Sequence, residues 1–153
     1  MNFYGFDSFQ GMNPKKGDEH PFYTTFDFST DFNVIKKRFA RMPEVKLIPG
    51  FFEETLKRSP QEYGIGKVAV AMIDCDLYSA AQETFRFLRP IIQKGTVLIL
   101  DDYFNYLGDK QRGVRAAFVE FCLDGVECEE LMRYGICGVV FLVSNVSQAE
   151  SSK

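Results

Sequence analysis

Two apolar runs separated by a helical pattern lie at the centre of the chain. Residues 67–74 are almost wholly apolar between charged ends, which predicts a strand buried on both faces. Residues 96–100 predict a second buried strand. Between the runs, Ala81, Phe85 and Leu88 recur at helical spacing. A strand, a crossover helix and a second strand predict two parallel neighbours in one sheet.

The rest of the chain repeats this alternation of strand and helix patterns. Further strands are predicted at 2–6 and 45–48, helices at 29–42, 52–57 and 112–123, and a closing antiparallel pair at 129–133 and 138–144. Ser79 and Gln82 have the spacing of a capping box for the central helix. The pattern therefore predicts an α/β fold, with a mostly parallel sheet and helices on both faces.

Composition bounds the function and the partners. A length of 153 residues suits one domain, predicted over 1–146 and followed by a polar, disordered tail at 147–153. Eighteen Lys and Arg against 21 Asp and Glu give a net charge of −3, which argues against nucleic acid and a membrane surface as partners. No apolar run approaches the roughly 20 residues of a membrane span, and no signal peptide is visible. Four cysteines without a CxxC pair indicate reduced thiols. We therefore predict a cytoplasmic protein.

Acidic residues follow both central strands. Asp74 and Asp76 come after the first, and Asp101 and Asp102 come after the second. Neighbouring parallel strands lie about 4.8 Å apart, so these carboxylates should meet at the edge where open α/β sheets bind ligands. Such a cluster favours a hard cation, Mg²⁺ before Ca²⁺ or Mn²⁺. An equally weighted alternative is that Asp76 caps the next helix and that Asp101 and Asp102 are solvated loop residues.

Other candidate residues carry weaker signals. His20 is the single histidine and stands in a polar stretch, so we expect a solvated side chain whose removal matters little. Asp7 ends the first predicted strand and could receive a ligand hydroxyl or cap the loop. Phe51 and Phe52 follow a strand and could pack in the core or against a flat ring.

Four ordered segments, at 6–11 (FDSFQG), 49–56 (PGFFEETL), 73–78 (IDCDLY) and 100–103 (LDDY), resemble the macrocin O-methyltransferase-like family. These are class I S-adenosylmethionine-dependent methyltransferases with a Rossmann-like sheet. The resemblance implies Mg²⁺-assisted O-methylation of a hydroxyl on a sugar or other small molecule, often a secondary metabolite.

The resemblance also implies roles for individual residues. Asp74 would be a metal ligand and the catalytic base, and Asp101 and Asp102 would complete the metal site. The cofactor would be held at its ribose and adenine by five residues: Asp7, Ser8, Gly50, Phe51 and Phe52.

The family pattern includes a glycine-rich turn that should precede Asp7, where only six residues stand. We therefore expect the chain to begin at the second strand of the fold, so that 1–146 is the C-terminal part of a methyltransferase domain. Such a chain should bind S-adenosylmethionine weakly and self-associate through the unpaired edges of 2–6 and 67–74.

Two alternative functions stay open from the sequence. The first is a metal-dependent glycosyltransferase, in which the DxD motif holds a nucleotide-sugar diphosphate through Mn²⁺. The second is a non-catalytic methyltransferase fragment that serves as an interaction module.

Overall fold

The structure of the protein is a computed structural model that describes residues 1–24 and 27–147. The tail predicted at 147–153 lies outside the described residues from position 148 onward. Strands and helices alternate as the sequence predicts. The strands are β1 (Phe3–Asp7), β2 (Val45–Pro49), β3 (Val70–Ile73), β4 (Val97–Leu100), β5 (Val126–Tyr134) and β6 (Gly138–Val146). The α-helices are α1 (Phe32–Phe39), α2 (Phe52–Thr55), α3 (Tyr78–Leu88) and α4 (Gly113–Leu123).

The strands form two sheets. β1 and β2 pair in parallel, and the second sheet has the order β3-β4-β6-β5. β3 and β4 are parallel and in register from Val70↔Val97 to Ile73↔Leu100, which confirms the predicted crossover unit. β6 runs antiparallel to both β4 and β5, so the predicted closing pair is also confirmed. Because β3 and β4 end in register, the residues that follow them leave the sheet side by side.

The core lies between the four-stranded sheet and helices α3 and α4. Leu98, Leu100 and Val139 from the strands are fully buried. They belong to the same apolar cluster as Phe85 of α3 and Phe118 of α4. Burial of these large side chains provides the main stabilising term and fixes the crossover helix α3 against the sheet.

The prediction that the 67–74 strand is buried on both faces is wrong. The strand itself is shorter, and Val70 and Met72 are 58% and 60% exposed, whereas Ile73 is 2% exposed. Successive side chains of a strand point to opposite faces. The face that carries Ile73 meets the α3–α4 core, and the face that carries Val70 and Met72 stays in contact with solvent.

The N-terminus of α3 is capped from a distant part of the chain. The predicted Ser79–Gln82 capping box is wrong, because α3 begins at Tyr78 and its N-cap residue Leu77 provides no side-chain cap. Instead, the buried carboxylate of Asp18 accepts hydrogen bonds from the backbone N–H groups of Tyr78 at 2.8 Å and Ser79 at 2.9 Å. This contact fixes the loop between β1 and α1 beside the ends of β3 and β4.

All four cysteines are free thiols. Within residues 1–24 and 27–147, no helix combines the length and the apolar character that crossing a membrane requires.

Candidate active site

Three carboxylates converge at the carboxyl ends of β3 and β4. One oxygen from each of Asp74, Asp101 and Asp102 lies within 4.8 Å of the corresponding oxygens of the other two. The parallel register of β3 and β4 produces this arrangement, since Asp74 and Asp101 each follow the last paired residue of their strand. The structure therefore brings together the residues that the sequence predicted as metal ligands.

Hydrogen bonds hold two of these carboxylates in place. The hydroxyl of Tyr134 donates to Oδ1 of Asp101 at 2.7 Å. The backbone N–H of Asp76 donates to Oδ2 of Asp102 at 2.9 Å, and the Asn105 amide donates to its Oδ1 at 3.2 Å. Such outer contacts orient carboxylates for metal binding.

The cluster is electrostatically unfavourable on its own. Loss of hydration, and then the nearby charges of Asp102, Asp101 and Asp7, raise the pKa of Asp74 from 3.8 to about 6. Burial and the charge of Asp76 likewise raise the pKa of Asp102. Among the described residues, none of the three clustered carboxylates forms an ion pair with Lys or Arg.

This donor set fits a hard divalent cation. It offers only carboxylate oxygens, close enough to share one ion, and a 2+ charge would relieve their mutual repulsion. The residues present therefore match the chemistry of Mg²⁺ better than that of a soft metal that prefers thiolates.

A cavity of about 480 Å³ connects the acidic cluster with the end of β1. Four of the residues proposed for the cofactor line this cavity: Asp7, Ser8, Phe51 and Phe52. Asp74, Asp101 and Asp102 line the same cavity. The proposed cofactor residues and the proposed metal ligands thus line the same cavity, although they follow strands of different sheets.

Gly50 is the one member of the predicted cofactor set that does not line this cavity. Its φ of +138° is unfavourable for other residues, and a Cβ there would lie 2.9 Å from Cγ2 of Thr55. Glycine at this position therefore allows the sharp turn from β2 into α2, which brings Phe51 and Phe52 to the cavity wall.

His20 contradicts the expectation of a solvated side chain. The residue is 7% exposed, and its ring stacks on Tyr23 with 4.4 Å between centroids. Burial and the nearby Arg112 charge lower its pKa, so the imidazole is neutral at pH 7. Asp76, proposed as a helix cap, instead accepts a hydrogen bond from Asn105 at 2.5 Å.

Sequence reasoning missed several residues that surround the site. Asn105 follows Asp102 by three positions, and a polar residue so close to an acidic pair was a detectable signal. No local signal marks Asp18 or Tyr134, because their partners lie 60 and 33 residues away in the chain.

The fold is that of Rossmann-like methyltransferases. The calicheamicin methyltransferase CalS11 superimposes with a TM-score of 0.71 at 21% identity, over 92% of this chain and 60% of that one. The O-methyltransferase NovP gives a TM-score of 0.71 at 22% identity, over 94% of this chain and 60% of that one. The family model of macrocin-O-methyltransferase (TylF) matches residues 1–122. The chain belongs to this family.

Two curated relatives support the same assignment. Mycinamicin III 3''-O-methyltransferase of Micromonospora griseorubida is 28% identical over 110 residues, which are 63% of this chain and 42% of the relative. The 8-demethyl-8-(2,3-dimethoxy-alpha-L-rhamnosyl)-tetracenomycin-C 4'-O-methyltransferase of Streptomyces olivaceus is 29% identical over 108 residues, which are 63% of this chain and 40% of the relative. The matched region thus spans less than half the length of either relative.

Proposed function

We propose that this chain carries the metal-binding and adenosine-binding parts of an O-methyltransferase that uses S-adenosylmethionine and Mg²⁺. The acceptor would be a hydroxyl on a sugar or on another small secondary metabolite. The observation that carries the proposal is the convergence of Asp74, Asp101 and Asp102 within 4.8 Å in a cavity that Asp7 and Phe51 also line. Family membership and the names of the two curated relatives support the acceptor class.

The cofactor would lie against the β1–β2 side of the cavity. Phe51 and Phe52 offer aromatic surface to a flat adenine ring. Asp7 is exposed at the end of β1, and its Oδ1 already accepts the Phe9 N–H at 2.7 Å, which orients a carboxylate that would bind a ribose hydroxyl. Ser8 stabilises the same turn by donating to the Gly11 carbonyl at 2.9 Å.

When bound, S-adenosylmethionine supplies an activated methyl group, and Mg²⁺ lowers the pKa of a coordinated hydroxyl. Asp74, Asp101 and Asp102 would hold the cation. Asp74 would also accept the proton that the acceptor hydroxyl loses. A carboxylate held beside the acceptor hydroxyl is placed to take that proton. The protein's main contribution is therefore position and charge.

The glycosyltransferase alternative requires both acids of the DxD motif to bind one metal–diphosphate. The geometry favours the methyltransferase instead, since Asp74 groups with Asp101 and Asp102. The carboxylate of Asp76 instead accepts a hydrogen bond from the Asn105 amide, and its Oδ1 lies 3.7 Å from Nε2 of His20.

The test is ligand-induced chemical-shift mapping by NMR on the ¹⁵N-labelled chain, which detects weak binding. We expect S-adenosylhomocysteine to shift amides at Asp7, Phe51 and Phe52, and Mg²⁺ to shift those at Asp74 and Asp101. Shifts with UDP and line broadening near Asp74 and Asp76 with Mn²⁺, but no shift with S-adenosylhomocysteine, would indicate the glycosyltransferase. No shift with any of these ligands would identify the chain as a non-catalytic module.

A further inference from the structure

His20 occupies an enclosed position behind the acidic cluster. None of its side chain is exposed. Its ring stacks on Tyr23 and meets the Tyr106 ring edge-on at 4.9 Å between centroids. A polar side chain buried this deeply requires partners for its ring nitrogens.

The hydrogen bonding defines where the imidazole proton sits. The backbone N–H of Phe22 donates to Nδ1 of His20 at 3.1 Å, so Nδ1 is an acceptor. A neutral imidazole with an accepting Nδ1 carries its proton on Nε2. Among the described residues Nε2 has no hydrogen-bond partner, and Oδ1 of Asp76 lies 3.7 Å away. The distance of 3.7 Å is beyond hydrogen-bond range, so the enclosed Nε2–H and the Asp76 carboxylate interact by electrostatic attraction.

Asp76 in turn is coupled to the metal-binding carboxylates. Its backbone has a φ of +54°, which is uncommon for a residue other than glycine and needs support from its surroundings. Its N–H donates to Asp102, and its Oδ1 accepts from Asn105, whose amide also donates to Asp102. Two separate connections therefore transmit the placement of Asp76 to Asp102.

We propose that His20 is a positioning residue: its buried Nε2–H attracts the carboxylate of Asp76, and Asp76 holds Asp102 in the orientation that cation binding requires. The inference rests on the proposed metal site. The loop between β1 and α1 would then have two roles, because Asp18 in the same loop caps α3. Loss of such outer contacts in metal sites typically lowers metal affinity about 10- to 100-fold.

The test is the Mn²⁺ affinity of the purified chain, measured by the electron paramagnetic resonance signal of free Mn²⁺. We expect His20→Leu to weaken binding about ten-fold. His20→Gln should keep most of the affinity, since its side-chain amide restores an N–H donor near the position of Nε2. Both variants lose the aromatic ring, so a merely structural role of His20 would affect them equally.

Two further measurements test the route through Asp76. In an Asp76→Asn background, His20→Leu should change Mn²⁺ affinity by less than about two-fold, because coupled residues are not additive. In ¹⁵N NMR spectra of the metal-free chain, the imidazole should carry its proton on Nε2, and Asp76→Asn should shift that resonance. These spectra test the proposal even if His20→Leu does not fold, because they are recorded on chains that keep His20.

The outcomes separate this inference from the proposed function. A wild-type chain that binds no Mn²⁺ would overturn the metal site and the inference with it. A wild-type chain that binds Mn²⁺ while His20→Leu binds it equally well would overturn the positioning role alone. Equal losses in the Leu and Gln variants, or a proton on Nδ1, would overturn it as well.

Discussion

The hydroxyl of Tyr134 donates a hydrogen bond to Oδ1 of Asp101 at 2.7 Å. Tyr134 is the last residue of β5, so the closing hairpin provides a side chain to the acidic cluster at the end of β4. Loss of hydration and this hydrogen bond to Asp101 both raise the pKa of the Tyr134 hydroxyl, which therefore remains a donor throughout the neutral range. The antiparallel end of the sheet thus supports the proposed metal site as well as the core.

Replacing Tyr134 with Phe should weaken Mn²⁺ binding by about three- to ten-fold, because a hydrogen bond to a charged group contributes about 1.5 kcal/mol and this one is partly exposed. The melting temperature should change little, since the ring is kept. Titration with Mn²⁺ measures the affinity, and circular dichroism measures the melting temperature. Tyr4→Phe is the matched control, because its hydroxyl contacts the Gly64 carbonyl at 3.3 Å and not the cluster. Equal Mn²⁺ affinities in the two variants would contradict the prediction.

The sequence was sufficient to predict the acidic cluster because one short stretch of the chain determines where these carboxylates lie. One crossover unit brings Asp74 and Asp101 to the same sheet edge, and the period of the apolar residues defines that unit. The surroundings of the cluster were not predictable in the same way. His20 and Asp18 lie in a stretch without periodicity, and only the folded chain brings that stretch against α3.

The same limitation explains the wrong prediction for β3. An apolar run indicates that a strand can be buried on both faces, but burial depends on which elements cover each face. Ile73 faces the α3–α4 core, whereas Met72 on the opposite face does not.

If the proposed function holds, Asp74→Asn should abolish most methyl transfer and leave cofactor binding nearly intact. The substitution removes a metal ligand and the proton acceptor together, and general-base catalysis alone contributes about 100- to 10,000-fold. Methyl transfer from labelled S-adenosylmethionine and titration with S-adenosylhomocysteine measure the two effects. Asp124→Asn is the control, since that carboxylate is 73% exposed and lies near Arg89 instead. Turnover within a few-fold of wild type in Asp74→Asn would rule out the assigned role.

The stability of the metal-free chain should depend on pH through Asp74. Its native pKa of about 6 exceeds the ordinary 3.8, so the folded chain binds this proton more tightly than the unfolded chain does. The protonated carboxyl therefore contributes stability at low pH that is lost as the pH rises through about 6. In EDTA near pH 4, Asp74→Asn and wild type should have the same melting temperature. At pH 7, the melting temperature of Asp74→Asn should be higher than that of wild type.

Addition of Mg²⁺ at pH 7 should reverse this order, because a cation that binds only the native state stabilises wild type. Thermal unfolding from pH 4 to 7, with and without Mg²⁺, provides the measurement. A difference between the two proteins that stays constant across this range would exclude a perturbed Asp74.

Asp18→Ala should destabilise the chain by about 1 to 2 kcal/mol, which is the usual effect of removing a helix cap. The buried carboxylate satisfies two N–H groups at the start of α3, and alanine would leave both without this acceptor. Urea denaturation measures the change. Ser79→Ala, which removes the hydroxyl of the capping box that the sequence suggested, should change stability by less than about 0.5 kcal/mol. A larger loss of stability in Ser79→Ala than in Asp18→Ala would show that Ser79, and not Asp18, caps α3.

The purified 153-residue chain should self-associate through β3. Among the described residues, β3 pairs only with β4 and β1 pairs only with β2, so each has one side without a strand partner. Val70 and Met72 are also 58% and 60% exposed. A short apolar strand with a free edge is a template for association with another chain. Light scattering should therefore detect oligomers that grow with protein concentration.

A Val70→Lys and Met72→Lys double variant should shift this equilibrium toward monomer, since lysine on an edge strand opposes pairing with a second copy. Ile136→Lys is the matched control, because Ile136 is 96% exposed but lies in the turn between β5 and β6, away from β3. Equal effects of the two changes would mean that general surface hydrophobicity drives association. A wild-type chain that stays monomeric at every concentration would show that the free side of β3 is protected from association.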